Sequence, residues 1–155
     1  MKRIVRLSID LVPRGAWFLN LRSMLLPEQW DALRKETYRR VGYRCEVCGG
    51  KGPKHPVECH EKWEYDDRRH VAKLVGLAGL CPACHECKHI GLAQIKGRLP
   101  QARKHLAQVN EIAVDEASDM IRDAFRVWKK RSEHDWEVDI SWANTSISGG
   151  GTPSV

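Results

Sequence analysis

The chain has 155 residues, of which 42% are hydrophobic and 30% are charged, and its formal net charge is +6. This composition is typical of a globular protein with a single core, and no apolar run approaches the roughly 20 residues that a membrane-spanning helix requires. Arg6 and Asp10 interrupt the N-terminal apolar stretch, so it lacks the continuous apolar region of a signal peptide. We therefore expect a cytoplasmic protein with no membrane partner. The excess of basic residues favours a polyanionic partner, although charge alone does not separate nucleic-acid-binding proteins from other basic proteins.

The N-terminal part of the chain is predicted to form a strand and then a helix. Residues 3–12 alternate between polar and apolar side chains, which indicates a strand that ends at Pro13. Apolar residues then recur at helical spacing over 27–41. This segment starts with a proline, which suits the first turn of a helix, and it stops before Gly42.

The C-terminal part is predicted to form two helices, one strand and a disordered tail. Residues 101–114 and 115–132 carry helical patterns, and the second has acidic residues at its start and basic residues at its end, which complements the helix dipole. The segment 135–142 alternates large apolar with polar side chains, which indicates a strand. We expect this strand to pair with the N-terminal one. The Gly- and Ser-rich residues 146–155 are predicted to be disordered.

Two Cys-x-x-Cys pairs predict a structural zinc site. Cys45 and Cys48 form the first pair, and Cys81 and Cys84 form the second. A gap of two residues lets one turn of backbone present two thiolates, and two such knuckles complete the tetrahedral sulfur shell that zinc prefers. In a reducing cytosol, paired cysteines hold metal more often than they form disulfides. The alternative is that the four are buried free thiols that pack as small hydrophobic groups.

A second group of potential metal ligands lies between and after these pairs. The stretch VECHEKW is predicted to be a short strand, which would place Cys59 and His60 on opposite faces. In the helix expected after the second pair, His85 and His89 lie on one face, about 40° apart. Cys87 points roughly 180° away from them and is interpreted as a packing residue. The two histidines suit zinc or another first-row divalent cation, or they simply cap and solvate the helix.

Three stretches of this region, CEVC, VECHEKW and LVGLAGLCPACHECKHIG, together resemble the HNH endonuclease family. The resemblance covers about residues 45–91, a third of the chain. It implies an α+β fold in which a zinc-stabilised ββα-metal core at 43–92 is flanked by elements at 3–42 and 100–143. We expect one domain over 1–145, with a small antiparallel sheet made by the N- and C-terminal strands.

The resemblance also implies an activity, the metal-dependent hydrolysis of DNA phosphodiester bonds. The cation, Zn²⁺, Ni²⁺, Mn²⁺ or Mg²⁺, would stabilise the leaving group. Carried over residue by residue, His60 matches the general base and Cys59 the metal-ligand position before it. His85 and His89 match the ligands on the helix, and Lys88 lies where the family often has a basic residue near the phosphate. An unperturbed imidazole has a pKa of about 6.5 and accepts a proton at neutral pH.

Two positions depart from the family pattern. Gly76 stands where the family commonly has an Asn that orients the loop carrying the histidine, so an active enzyme would need another source of orientation. Cys59 replaces a carboxylate or imidazole by a thiolate, which favours zinc over magnesium. The alternative function is therefore a catalytically inactive, zinc-finger-like module that binds nucleic acid or protein.

Some further residues keep two interpretations or have no predicted role. Basic residues between 68 and 104 either contact phosphates or form a solvated face. Trp63 is the one tryptophan considered near a substrate, and His105 is among four histidines without an assignment.

Overall fold

A computed structural model of the chain describes residues 4–16 and 20–150. It has a mixed α+β fold. The elements in chain order are a 3-10 turn Arg14–Ala16, α1 Leu21–Met24, α2 Pro27–Arg40, β1 Glu58–Asp66, β2 Val71–Leu80, α3 Pro82–Lys88, α4 Ile90–Ile95, α5 Leu99–Asn110, α6 Val114–Arg131, β3 Glu137–Asp139 and α7 Ser141–Gly150. Within these described ranges, no helix combines the length and the apolar character needed to cross a bilayer.

The antiparallel hairpin of β1 and β2 forms the centre of the fold. His60 pairs with Ala78 in this hairpin, and the register shifts between Lys62 and Trp63, where a bulge increases the local twist. Strand β3 adds to the free edge of β2 in the parallel direction. The predicted strand around His60 is confirmed, and it is longer than the sequence pattern indicated.

The N-terminal strand predicted for 3–12 is wrong for the residues that the structure describes. Residues 4–12, here called the N-terminal arm, have no strand pairing. The buried Asn110 satisfies the arm's backbone instead: its Oδ1 accepts the N–H groups of Arg6 and Leu7 at 2.9 and 3.0 Å, and its Nδ2 donates to the Leu7 carbonyl. Leu7 is fully buried in the main core. The alternating pattern indicated an extended backbone correctly, but the hydrogen-bond partner is a side chain on α5 and not a neighbouring strand.

The C-terminal prediction is also partly wrong. The strand is limited to Glu137–Asp139, and it pairs with β2 and not with the N-terminal arm, so the sheet is not the predicted antiparallel pair of terminal strands. Asp139 ends the strand because its Oδ1 accepts the backbone N–H of Ser141 at 2.9 Å. Helix α7 then includes residues 146–150, which were predicted to be disordered. Residues 151–155 lie outside the described part of the chain.

The helices that flank the hairpin match their sequence patterns. Helices α2, α5 and α6 are confirmed, with bounds that differ from the predicted ones by at most four residues. The main core joins the arm, the end of β2, and helices α3 to α6, with Leu80, Ile90 and Leu106 fully buried. Both metal-ligand clusters described below lie where these elements meet.

The loop after α2 is fixed against β2 by a close backbone approach. A Cβ atom at Gly79 would lie 2.6 Å from Cγ2 of Val41, so only glycine fits without displacement. The backbone N–H of Glu46 donates to the Gly79 carbonyl at 3.0 Å, and the Gly79 N–H donates to the Glu46 carboxylate at 2.9 Å. This contact brings the first cysteine pair to the end of β2, where the second pair begins.

Candidate metal centres

The four cysteines of the two pairs form one cluster. The sulfurs of Cys45, Cys48, Cys81 and Cys84 all lie within 4.8 Å of one another, and those of Cys48 and Cys81 are 3.6 Å apart. Four sulfurs held 2.3 Å from one zinc ion in a tetrahedron would be about 3.8 Å apart. The cluster therefore has the composition and size of a structural zinc site, and its cysteines form no disulfide.

Backbone amides point at these sulfurs in the manner expected of zinc knuckles. The N–H groups of Cys48 and Gly50 donate to Sγ of Cys45 and Cys48, and the N–H of Cys84 donates to Sγ of Cys81. Gly49 has φ +77°, a conformation that favours glycine and makes the first turn possible. Cys81 is the N-cap of α3, so the first turn of that helix fixes the relative position of Cys81 and Cys84.

Burial and the neighbouring sulfurs shift the pKa values of three cysteines in the cluster. A hydrogen bond with Cys84 lowers the pKa of Cys45 to about 4, and the same bond raises the pKa of Cys84. Burial raises the pKa of Cys81 to about 11. Four thiolates this close repel one another, so a bound cation is what would allow all four to ionise.

His105 is a residue that the sequence pattern did not connect with the cysteines. It lies on α5, and its Nε2 is 3.2 Å from Sγ of Cys84. Burial lowers the pKa of His105, which favours a neutral ring able to donate one N–H to the sulfur. Spacing gave no signal for this contact, since 21 residues separate the two positions.

We expect His105→Phe, which keeps a ring but removes the N–H donor, to weaken zinc retention by roughly 10- to 100-fold, as is usual when a group that orients a ligand is lost. Competition against a chromophoric chelator measures the change. Gln108→Ala, at an exposed position of the same helix, is the control. Unchanged zinc affinity in the Phe variant would show that the hydrogen bond is incidental.

Three histidines form a second cluster. One ring nitrogen from each of His60, His85 and His89 lies within 4.8 Å of the others, and the ring centroids are 4.9 to 5.4 Å apart. Helix α3 ends at Lys88, so His89 lies one residue beyond the helix that was expected to carry both His85 and His89. The His89 N–H still donates to the His85 carbonyl, as it would within a helix. Nitrogens bound to one ion in a tetrahedron are roughly 3.3 Å apart, so small ring rotations would complete the site.

Carboxylates hold two of the three rings from outside the cluster. His60 Nε2 lies 3.1 Å from Asp10 Oδ2, and His85 Nδ1 lies 3.0 Å from Glu58 Oε1. An ionised carboxylate only accepts hydrogen bonds, so each contact places a ring proton on the nitrogen that faces the carboxylate, and in the neutral ring the other nitrogen carries a lone pair. His60 is 3% exposed, and its Nδ1 has no hydrogen-bond partner among the described residues. A buried nitrogen without a partner is costly unless something occupies the site beside it.

The pKa values of two of the three rings, His60 and His89, are lowered, which favours neutral imidazole, the form that binds a cation. Burial, followed by the nearby His85 and His60, lowers the pKa of His89 to about 4. Burial also lowers the pKa of His60, against the opposing effect of Asp10. The pKa of Asp10 itself is lowered despite its burial, by its hydrogen bond with His60 and by the charge of Lys88.

Two residues predicted for this site lie elsewhere or are already paired. Cys59 is on the opposite face of β1, where it packs beside Leu33 and Leu74, and burial raises the pKa of its thiol to about 11. It is therefore a neutral thiol outside the histidine cluster, which does not fit the predicted ligand role. Lys88 is 11% exposed, with its Nζ 3.1 Å from Asp10 Oδ2 and 2.9 Å from Ser8 Oγ. Its ammonium group thus contacts the N-terminal arm, and its role near a phosphate stays a prediction.

A cavity of about 560 Å³ lies beside the histidine cluster. Its wall includes His89 together with the aromatic side chains of Trp63, Tyr65 and Trp128. Trp63 therefore shares a cavity with one of the three histidines, while its predicted nearness to a substrate stays a prediction.

A scan against protein-family models and searches of curated proteins and of solved structures found no match to this chain. The two clusters are consequently interpreted from their own geometry and chemistry.

Proposed function

We propose that this protein is a metal-dependent endonuclease of the HNH type, which hydrolyses DNA phosphodiester bonds at the cluster of His60, His85 and His89. The observation that carries the proposal is the convergence of three imidazoles, one of which, His60, has a buried nitrogen without a hydrogen-bond partner among the described residues. The four-cysteine cluster, proposed as a structural zinc site, supports this arrangement by joining the loop before β1 to the start of α3.

The histidine cluster fits a divalent cation. Three imidazoles suit zinc or nickel, whereas manganese and magnesium prefer oxygen ligands, and magnesium is expected to be the weakest activator. When bound, such a cation lowers the pKa of a coordinated water and offsets the negative charge that develops on the phosphate and the leaving oxygen. Three protein ligands leave a coordination position open for water or substrate, which is usual for catalytic and not for structural sites.

His60 is proposed here as a third ligand, in place of the general base implied by the family resemblance. A general base has to reach a water beside the substrate, but the free nitrogen of His60 is buried and faces no solvent. The same burial suits a ligand. The absence of Cys59 from the cluster also leaves the third ligand position to His60.

DNA is proposed as the substrate because of charge and resemblance together. The net charge of +6 favours association with a polyanion, and the family resemblance over 45–91 supplies the reaction. In this proposal His60, His85 and His89 share one task, which is to hold the cation.

Plasmid relaxation by the zinc-containing protein tests the proposal, with zinc, nickel, manganese or magnesium added in turn. Wild-type protein is expected to nick or linearise the plasmid, and His60→Ala to lower the rate by on the order of 10³-fold, which corresponds to several kcal/mol of lost stabilisation. Metal analysis of the variant separates the two roles of His60. Loss of one cation per chain indicates a ligand, and a retained cation without cleavage indicates a general base.

Two outcomes would contradict the proposed function. One is cleavage by His60→Ala at the wild-type rate, because neither role of His60 survives that result. The other is stable plasmid binding by a metal-loaded wild-type protein that never cuts, which supports the inactive binding module suggested by Gly76 and Cys59.

A further inference from the structure

We propose that Asp10 is the positioning residue of the histidine cluster, and that it replaces the orienting Asn whose family position is occupied here by Gly76. The inference rests on the proposed function in one respect, since it assumes that the cluster binds a divalent cation. It assigns a role to a residue of the N-terminal arm, 50 positions before its partner His60.

The first step is the contact itself. Asp10 Oδ2 lies 3.1 Å from His60 Nε2, and His60 has no second polar contact among the described residues. The carboxylate therefore determines which nitrogen carries the proton. With the proton on Nε2, Nδ1 carries the lone pair, and this buried nitrogen has no hydrogen-bond partner among the described residues, so its lone pair is available to a cation.

The second step is that Asp10 is itself held from several sides. Lys88 Nζ lies 3.1 Å from Oδ2, and Ser8 Oγ donates to Oδ1 at 3.2 Å. The backbone N–H of Asp10 donates to the Lys88 carbonyl at 3.1 Å, which joins the arm to the end of α3. Three residues earlier on the arm, the Asn110 side chain forms hydrogen bonds with the backbone N–H and carbonyl of Leu7. A carboxylate fixed in this way can set the orientation of a ring.

The third step concerns the missing Asn. Gly76 lies on β2 opposite Lys62, and a Cβ built there would meet only the Lys62 side chain, at 3.2 Å from Cε. No polar side chain reaches the histidines from this position, because glycine has none. Asp10 supplies the acceptor from a different element, so orientation is kept although the family residue is absent.

Cobalt binding to the full-length zinc protein tests this role with a readout other than cleavage. The d–d absorption of Co²⁺ reports on the histidine cluster, and a sulfur-to-cobalt charge-transfer band reports any exchange into the cysteine site. Asp10→Ala is expected to weaken cobalt affinity by roughly 10- to 100-fold and to alter the d–d spectrum. Asp10→Asn keeps a carbonyl acceptor for the Nε2–H group and is expected to restore most of the affinity. Asp123→Ala removes the same charge at an exposed position of α6 and is expected to match wild type.

The outcomes separate this inference from the proposed function. Wild-type cobalt affinity and spectrum in Asp10→Ala would overturn the positioning role, as would an Asn variant no better than the Ala variant. If wild-type protein binds no cobalt outside the cysteine site, both proposals fail. If it binds cobalt with the expected Asp10 dependence but no metal supports plasmid cleavage, the positioning role stands and the nuclease proposal fails.

Discussion

Removal of zinc from the four-cysteine cluster is expected to abolish the cooperative thermal unfolding of this protein. Structural zinc of this kind contributes on the order of 10 kcal/mol or more to folding, which is comparable to the entire net stability of a typical domain, about 5–15 kcal/mol. The cluster joins the loop after α2, the end of β2 and the start of α3, and three of its four cysteines are buried.

Circular dichroism melts before and after chelation, with zinc measured by elemental analysis, provide the test. Cys45→Ser and Cys84→Ser are expected to reproduce the chelated state, since three sulfurs do not complete the tetrahedral shell. Cys87→Ala is the matched control, because this buried cysteine lies on the same helix but outside the cluster, where its thiol donates to the Ala102 carbonyl. It should keep its zinc and lose only about 1–3 kcal/mol. A chelated protein that still melts cooperatively at the original temperature would exclude a structural metal.

Loss of a histidine ligand is expected to give the largest effect on activity. His85→Ala and His89→Ala should each reduce the metal content from two ions per chain to one and slow plasmid cleavage by on the order of 10³-fold or more. The remaining ion should stay in the cysteine cluster, because neither histidine is among its ligands. Each histidine is only partly buried, so both variants should remain folded, with melting temperatures close to that of wild type.

His134→Ala is the control for these two variants. His134 is an exposed histidine that stacks on His70 with a centroid distance of 4.0 Å, away from both clusters. Its removal should leave metal content and cleavage unchanged. Retention of two ions by His85→Ala or His89→Ala would show that the histidines do not form a binding site, whatever the cleavage rate.

The sequence predicted best those features that depend on residues close together in the chain. The Cys-x-x-Cys spacing requires two sulfurs on one turn of backbone, and the structure brings the two pairs into one cluster. The separation of Cys59 from His60 follows in the same way from the alternation of a strand, and it is confirmed. Because neighbouring residues of a strand point to opposite faces, Cys59 and His60 could not readily bind the same metal ion.

Predictions that required a partner from a distant segment were less successful. The N-terminal pattern indicated an extended backbone but not its partner, which is Asn110 on α5. Strand β3 pairs with the edge of β2 that β1 does not occupy. The N-terminal arm does not compete for this edge, because its backbone is bound to Asn110. Nothing in the sequence indicated the contacts of the Lys88 ammonium group with Asp10 and Ser8, and the role of Lys88 near a phosphate stays a prediction.

The sequence by itself thus determined the ligand types, their local spacing and most of the helices, because these depend on backbone geometry over a few residues. Only the tertiary structure decided which carboxylates face His60 and His85, which histidine contacts a cysteine sulfur, and which strand completes the sheet. Those contacts join positions between 21 and 66 residues apart. These contacts depend on how the helices pack against the hairpin, and that packing cannot be predicted from the spacing of residues along the chain.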